Sequence, residues 1–188
     1  MVAEAADPYL SHMTRYHVFE TKLGFAAIAW GDGGITRFRL PYPDRASAET
    51  QFKGKATPQD PPPHVVTVVK QAMRYFAGEQ IDFTPIELDL SAVEASRRPI
   101  YHALRKVRFG ETVTYGELAK RAGVNAQQAA QDVGVAMARN PVPLIIPCHR
   151  VLAAGGKLGG FSAPGRTETK EKMLALEGVF IGNQPRLI

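Results

Sequence analysis

Two short stretches of this chain mark helix starts by their chemistry, and they fix how its second half can fold. Thr114-Tyr115-Gly116-Glu117 is a capping box. Thr at the N-cap and Glu at the third helical position satisfy each other's orphan backbone donors. Asn125-Ala126-Gln127-Gln128 repeats the arrangement with Asn and Gln. Gly123 closes the first helix after Ala122, and Asn140-Pro141 stops the second near Arg139, because the residue before a proline avoids the helical region. Two short helices joined at a glycine turn predict a helix-turn-helix. At about 100° per residue, Ala129, Ala130, Val133, Ala136 and Met137 form the inward face of the second helix. Gln127, Gln131, Gly134 and Ala138 centre the opposite face, which is polar at one end and very small at the other. Small residues let a partner come close, and lying opposite the core they suit an external partner. A DNA groove fits, with Gln127, Gln128 or Gln131 reaching in.

The first half has a different rhythm. After a loose tail of about twelve residues, 17–21, 24–30 and 35–40 read as strands separated by Lys22-Leu23 and by Gly31-Asp32-Gly33-Gly34, which are hairpin signals. Residues 41–63, rich in Pro, Asp, Gln and Gly, read as a surface connection with a short helix near 46–52. An amphipathic helix spans 65–77, with Val65, Val68/Val69, Ala72/Met73 and Phe76 inward, and Gly78 ends it. Residues 81–90 alternate Ile86, Leu88, Leu90 and predict a last strand. A polar linker, 91–98, leads to a helix at 100–107 with Ile100, Ala103/Leu104 and Val107 inward. The expected division is a β-rich domain at 1–90, in which nothing reads as catalytic, and a helical domain at 91–188.

Charge follows the same division. Residues 1–90 carry 9 Lys/Arg and 11 Asp/Glu, whereas 91–188 carry 14 and 7. The second half is therefore basic, which suits a polyanion such as nucleic acid or, equally, a solvated surface. No apolar run approaches the roughly 20 residues that span a bilayer. The N-terminus lacks the charged and apolar regions of an export signal. With a single cysteine, this predicts a reducing cytoplasm.

That cysteine is Cys148, in Pro147-Cys148-His149-Arg150. Alone, it can form no internal disulfide and no cysteine-rich zinc site, and the five histidines show no metal-ligand spacing. It is either a small packing residue or a reactive thiolate. A base at His149 and a cation at Arg150 favour the second, because thiolate chemistry is set by a base and nearby positive charge.

These residues together resemble the O6-alkylguanine-DNA alkyltransferases, or methylated-DNA–protein-cysteine methyltransferases. The resemblance covers 99–180: Pro-Ile-Tyr-His-Ala-Leu at 99–104, Gly-Glu-Thr-Val-Thr-Tyr-Gly-Glu-Leu-Ala at 110–119, Asn-Pro-Val-Pro-Leu-Ile-Ile-Pro-Cys-His-Arg-Val at 140–151, Gly-Gly-Phe-Ser at 159–162 and Leu-Glu-Gly at 176–178. The first half matches chiefly through Tyr75-Phe76-Ala77-Gly78. The resemblance implies an α/β (α+β) protein with an N-terminal ribonuclease-H-like sheet and helix and a C-terminal winged helix-turn-helix. It implies direct-reversal repair of double-stranded DNA, in which the minor groove is bound, the base is flipped and the O6-alkyl group of guanine passes irreversibly to Cys148. It gives His149 as the base, acting through a water, and Glu177 as its orienter. Tyr115 would donate to the guanine ring or press on the 3′ phosphate, and Asn140 would hold the turn behind the site. The backbone of Val151 and Ser162 would read the guanine edge, with Phe161 and Pro143 beside the substrate. Thr114, Gln127, Gln128, Gln131, Gly134, Ala138 and Arg139 would meet DNA. No cofactor and no metal are implied, and the location is cytoplasmic, at the nucleoid.

The chain departs from the family's pattern at three places. Gln131, followed by Asp132, stands where an arginine usually fills the gap left by the flipped base. The segment 161–177 is about two residues longer than usual. Ser96-Arg97 replaces the usual Phe-Gln. Two other readings compete: a non-catalytic module that binds alkyl lesions and recruits other repair proteins, and a thiol enzyme acting on a non-nucleic substrate.

Overall fold

A computed structural model describes residues 14–125, 129–162 and 165–182. Three long strands, β1 (Arg15–Thr21), β2 (Gly24–Gly31) and β3 (Gly34–Tyr42), form an antiparallel meander. Gly24 is obligatory in the first hairpin, since at φ +118° a Cβ would lie 2.2 Å from the Tyr42 carbonyl oxygen. Register shifts between β2 and β3 account for the imperfect alternation of Ile35, Phe38 and Leu40. Both faces of β2 are covered, so 26–30 is a continuous buried run. Helix α1 (Arg45–Thr50) covers one face, where Tyr16 stacks on Phe52. On the other lies α2 (Pro63–Phe76), started by its own proline and burying Val65, Val68, Val69, Ala72, Tyr75 and Phe76. Met73, expected inward, is 44% exposed, and Tyr75 takes the inward place.

The connection at 41–63 contributes a short strand, β4 (Thr57–Pro58), parallel to β1, giving the sheet order β3-β2-β1-β4. The expected strand at 81–90 does not form. Asp82 accepts from the Thr84 amide and hydroxyl in a turn, and Pro85 has no amide to donate. Only a bridge between Leu88 and Ile35 on the β3 edge remains.

The second half is helical. In α3 (Arg98–Arg105), Ile100, Ala103 and Leu104 are buried as expected, with Tyr101 and the following Val107. A two-residue strand, β5 (Val113–Thr114), leads into α4 (Tyr115–Ala122). Both hydrogen bonds of its capping box are present, and Gly123 ends it in the left-handed conformation. Helix α5 (Ala129–Ala138) packs on α4 through Val133, Ala136 and Met137. Gln127, Gln128 and most of the second capping box lie outside the described residues. After the Cys148 loop come β6 (Val151–Leu152), parallel to β5, and α6 (Arg166–Leu176). The mixed α/β expectation holds, and one buried apolar cluster runs from the sheet through α2 and α3 to the loop bearing Cys148.

Candidate active site

The loop after α5 is braced at several points on its way to Cys148. The Asn140 side chain spans it, donating from Nδ2 to the Ile146 carbonyl at 2.8 Å and accepting the Val142 amide at 3.0 Å. Leu144 sits at φ +79°, the one non-glycine residue at positive φ among the described residues, a strain of order 1 kcal/mol or more. Pro147, at φ −80°, ψ 66°, is the centre of an inverse γ-turn closed by the Cys148 amide on the Ile146 carbonyl at 2.8 Å. Cys148 then opens a single 3₁₀ turn ending at Arg150, and its residue is 6% exposed.

Behind the sulfur lies a buried polar network centred on Glu177, the C-cap of α6. Its Oε1 accepts from His149 Nε2 at 2.7 Å, Tyr75 Oη at 2.8 Å and Arg150 Nη2 at 2.9 Å. Its Oε2 accepts from Arg150 Nε at 2.9 Å and the Gly110 amide at 3.1 Å. The remaining Arg150 nitrogen, Nη1, donates to the Val107 carbonyl at 2.6 Å. Burial pushes the Glu177 carboxyl up, but the hydrogen bonds and charge of His149 and Arg150 outweigh it and bring it to about 2. It is therefore an ionised, acceptor-only group, and His149 must carry its proton on Nε2. Nδ1 of His149 is left as the basic nitrogen, buried and without a protein hydrogen-bond partner. Burial lowers the His149 pKa, against the pull of Glu177, so the ring is neutral at pH 7.

Sequence reasoning placed the Arg150 cation at the sulfur. The structure gives it to Glu177, and the cation acting on Cys148 is Lys170, fully buried on α6. Lys170 Nζ donates to the Val151 carbonyl at 2.6 Å and to the Leu158 carbonyl, tying α6 to the strand after the cysteine. Burial pulls its pKa down to about 8. The thiol itself is raised by burial, opposed by an Asn140 hydrogen bond, Lys170 and the local amides. A protonated resting thiol with a neutral imidazole beside it needs the base to form thiolate.

Two clefts flank this loop. The larger, about 760 Å³, lies at its back among Arg105, Val107, Phe109 and Ile145, and Cys148 does not line it. The smaller, about 280 Å³, is lined by Tyr115, Gly134, Met137, Ala138, Cys148, Gly160, Phe161 and Ser162. The sulfur decides which of the two is the site.

The family model described as 6-O-methylguanine DNA methyltransferase, DNA binding domain, matches residues 95–179. The methylated-DNA–protein-cysteine methyltransferase of Mycolicibacterium paratuberculosis is 36% identical over 165 residues, covering 88% of this chain and 93% of its own. The chain belongs to the methylated-DNA–protein-cysteine methyltransferase family. A Methanosarcina acetivorans member is 32% identical, over 87% of this chain and 97% of its own. The solved structure of Mycobacterium tuberculosis OGT in complex with DNA superposes with a TM-score of 0.69 at 31% identity, covering 87% of this chain and 93% of that one.

For a methyltransferase of this family, the structure gathers some of the predicted residues and separates others. Cys148, Tyr115, Phe161, Ser162, Gly134 and Ala138 converge on one cleft. His149, Glu177 and Asn140 stand directly behind it. Val151 is fully buried, its amide donating to the Cys148 carbonyl and its own carbonyl accepting from Lys170, and neither it nor Pro143 lines the cleft. Thr114 caps α4. Gln131, Asp132, Val135 and Ala138 are exposed on α5, as is Arg139 just after it. Tyr75, Arg150 as a Glu177 partner, Gly110 and Lys170 are the functional-site residues that sequence reasoning missed. Tyr75, Gly110 and Arg150 stood within the stretches that carry the resemblance without being given these roles, and Lys170 left no trace.

Proposed function

We propose that this protein repairs double-stranded DNA carrying O6-alkylguanine by moving the alkyl group irreversibly to Cys148. Direct reversal of DNA alkylation by transfer to a protein cysteine is the activity of its family. The observation that carries the assignment to this atom is that the chain's one thiol forms the floor of the cleft beside α5, with the His149–Glu177 pair behind it.

His149 Nδ1 takes the thiol proton through a bridging water. The sulfur lone pair then attacks the alkyl carbon in line, the S–C bond forming as the C–O6 bond breaks. The electron pair leaves onto guanine, which takes a proton from water as His149 returns the thiol proton to solvent, and Tyr115 donates a hydrogen bond to the ring as charge develops. Asn140 keeps the loop, and with it the sulfur, from shifting. A base stacked in a duplex cannot reach a sulfur this buried, so the nucleotide is extruded into the cleft. Phe161 flanks it and the backbone of Ser162 reads its edge, whereas Val151 and Pro143, expected beside the base, stand outside the cleft. The exposed face of α5, with Gln131, Gly134, Ala138 and Arg139, meets the minor groove together with Thr114, Gln127 and Gln128. The product is a thioether, and no group near Cys148 can cleave it, so each molecule reacts once. Residues 1–90 form the supporting domain and 91–188 the reactive one, acting in the cytoplasm at the nucleoid.

Intact-mass measurement after mixing with an O6-methylguanine duplex tests this. One added methylene, about 14 Da, is expected on Cys148. Cys148→Ser is expected to abolish the gain while retaining duplex binding. Tight binding with unchanged wild-type mass would make this a lesion-binding module, and neither binding nor adduct would move the thiol to a different substrate.

A further inference from the structure

We propose that Tyr75, from the first half of the chain, is a positioning residue of the transfer reaction: it closes the Nε2 side of His149 to every donor and so keeps Nδ1 as the free base. The inference rests on His149 being the base and deepens that reading. Tyr75 is fully buried on α2. Its ring is held edge-on by Phe76, Phe83 and Phe109, at centroid distances of 5.2, 5.8 and 6.3 Å. A phenylalanine would fill that aromatic nest equally well. A hydroxyl taken out of water costs free energy unless it is paired, and its partners here belong to the reaction network. Tyr75 Oη lies 2.8 Å from Glu177 Oε1 and 3.3 Å from His149 Nε2, with the Met173 carbonyl farther off at 3.5 Å.

A phenol has one proton. Burial and Glu177 hold the Tyr75 pKa well above 10, so the proton stays on Oη. Given to the carboxylate, it leaves the oxygen able only to accept from His149. Both oxygens facing Nε2 are then acceptors, and the imidazole can satisfy them only with its proton on Nε2. When Nδ1 takes the thiol proton, the charge on the ring is met at Nε2 by Glu177 Oε1 and Tyr75 Oη together. Other charged groups act on the same ring. Arg150, on its own turn, and Lys170, on α6, oppose its protonation, and Glu177 favours it. Cys148 adjoins it, and Asp82, on the segment after α2, faces Arg150. Tyr75 is the neutral member that fixes direction rather than charge. The first half of the chain thereby supplies part of the proton relay.

Tyr75→Phe is the test, read on the single-turnover rate of methyl transfer against pH. Removing the hydroxyl takes away one of the two acceptors that meet the imidazolium charge and leaves His149 less basic. The expected result is a rate about tenfold lower, duplex Kd unchanged, and the acid midpoint of the rate profile lowered by roughly half a pH unit. An unchanged rate and midpoint, with only a lower Tm, would overturn the proposal and leave Tyr75 a packing residue. Nitrogen NMR of His149 in the unaltered protein gives a second reading should the variant not fold. A protonated Nε2 and a bare Nδ1 are expected, and the opposite tautomer would overturn the proposal. If the unaltered protein transfers methyl but Tyr75→Phe matches it in rate and pH profile, only this inference fails. If the unaltered protein gains no methyl, the base assignment itself fails.

Discussion

The two sides of Cys148 are built on opposite principles. Behind the sulfur, His149, Arg150 and Glu177 are buried, and both carboxylate oxygens are engaged. In front, the small residues Gly134, Ala138, Gly160 and Ser162 line the cleft beside Tyr115 and Phe161, and Ser162 Oγ lies a long 3.4 Å from the Ala138 carbonyl. The chemistry is over-determined, because a displaced base or nucleophile loses rate steeply. The recognition face is left bare, which suits the proposed entry of a base and a phosphate backbone. Substitutions behind the sulfur should therefore cost folding and rate together, and substitutions on the exposed α5 face in front should move DNA affinity alone.

The largest break in that contrast comes from Arg150→Met. It strands the Glu177 carboxylate in a site with 0% side-chain exposure and frees the Val107 carbonyl. Removing one partner of a buried pair costs about 3–5 kcal/mol, which urea denaturation will read, and transfer should fall with it. Adding Glu177→Gln to Arg150→Met should recover part of the stability, because the neutral amide needs no counter-charge. If the double variant is no more stable than the single, packing rather than the unpaired charge sets the cost.

Acid should find the same side of the molecule. Glu177 has a folded pKa of about 2 against an ordinary value of 4.5. A depressed carboxyl contributes stability above its unfolded pKa and loses it as pH falls through the folded one. Its contribution, on the order of 3 kcal/mol, is thus present at pH 7 and lost between about pH 4.5 and 2. His149, also depressed from 6.5, adds loss in the same direction as pH falls below 6.5. Denaturation midpoints measured from pH 7 to 3 should decline, and Glu177→Gln should flatten the lower part of that decline. A decline unchanged by the substitution would place acid sensitivity elsewhere.

What could be read from the sequence was local. The Thr114–Glu117 capping box, the Gly123 stop and the inward set Val133, Ala136 and Met137 depend on residues three or four apart, and all are present. Cys148 could be singled out because its neighbours in sequence are also neighbours in space. Tyr75 could not, since its hydroxyl meets Glu177 across 102 positions and helical periodicity ranked Met73 above it. The same holds for Gly110 and Lys170, whose partners lie 67 and 19 positions away. The missing strand at 81–90 has the converse cause. Alternation of Ile86, Leu88 and Leu90 was real, but Asp82 and Pro85 spoiled the backbone hydrogen bonding that a strand needs.

The smallest effect, and the one that probes the front of the site, is expected from Gln131→Arg. Gln131 is exposed on α5, so stability should stay within about 0.5 kcal/mol. Arginine adds a cation near phosphates and a planar group able to stack in the space a flipped base vacates. Duplex binding should tighten by roughly tenfold, about 1.4 kcal/mol, with a steeper salt dependence. Asp132, equally exposed, works against the gain. Val135 offers the competing outcome. It is 39% exposed, one turn beyond Gln131 on the same face, and an apolar side chain can wedge a base step as well as a charged one can. If Gln131→Arg leaves affinity unchanged while Val135→Ala weakens it, the gap is filled by an apolar residue, and this protein holds its DNA open without a cation.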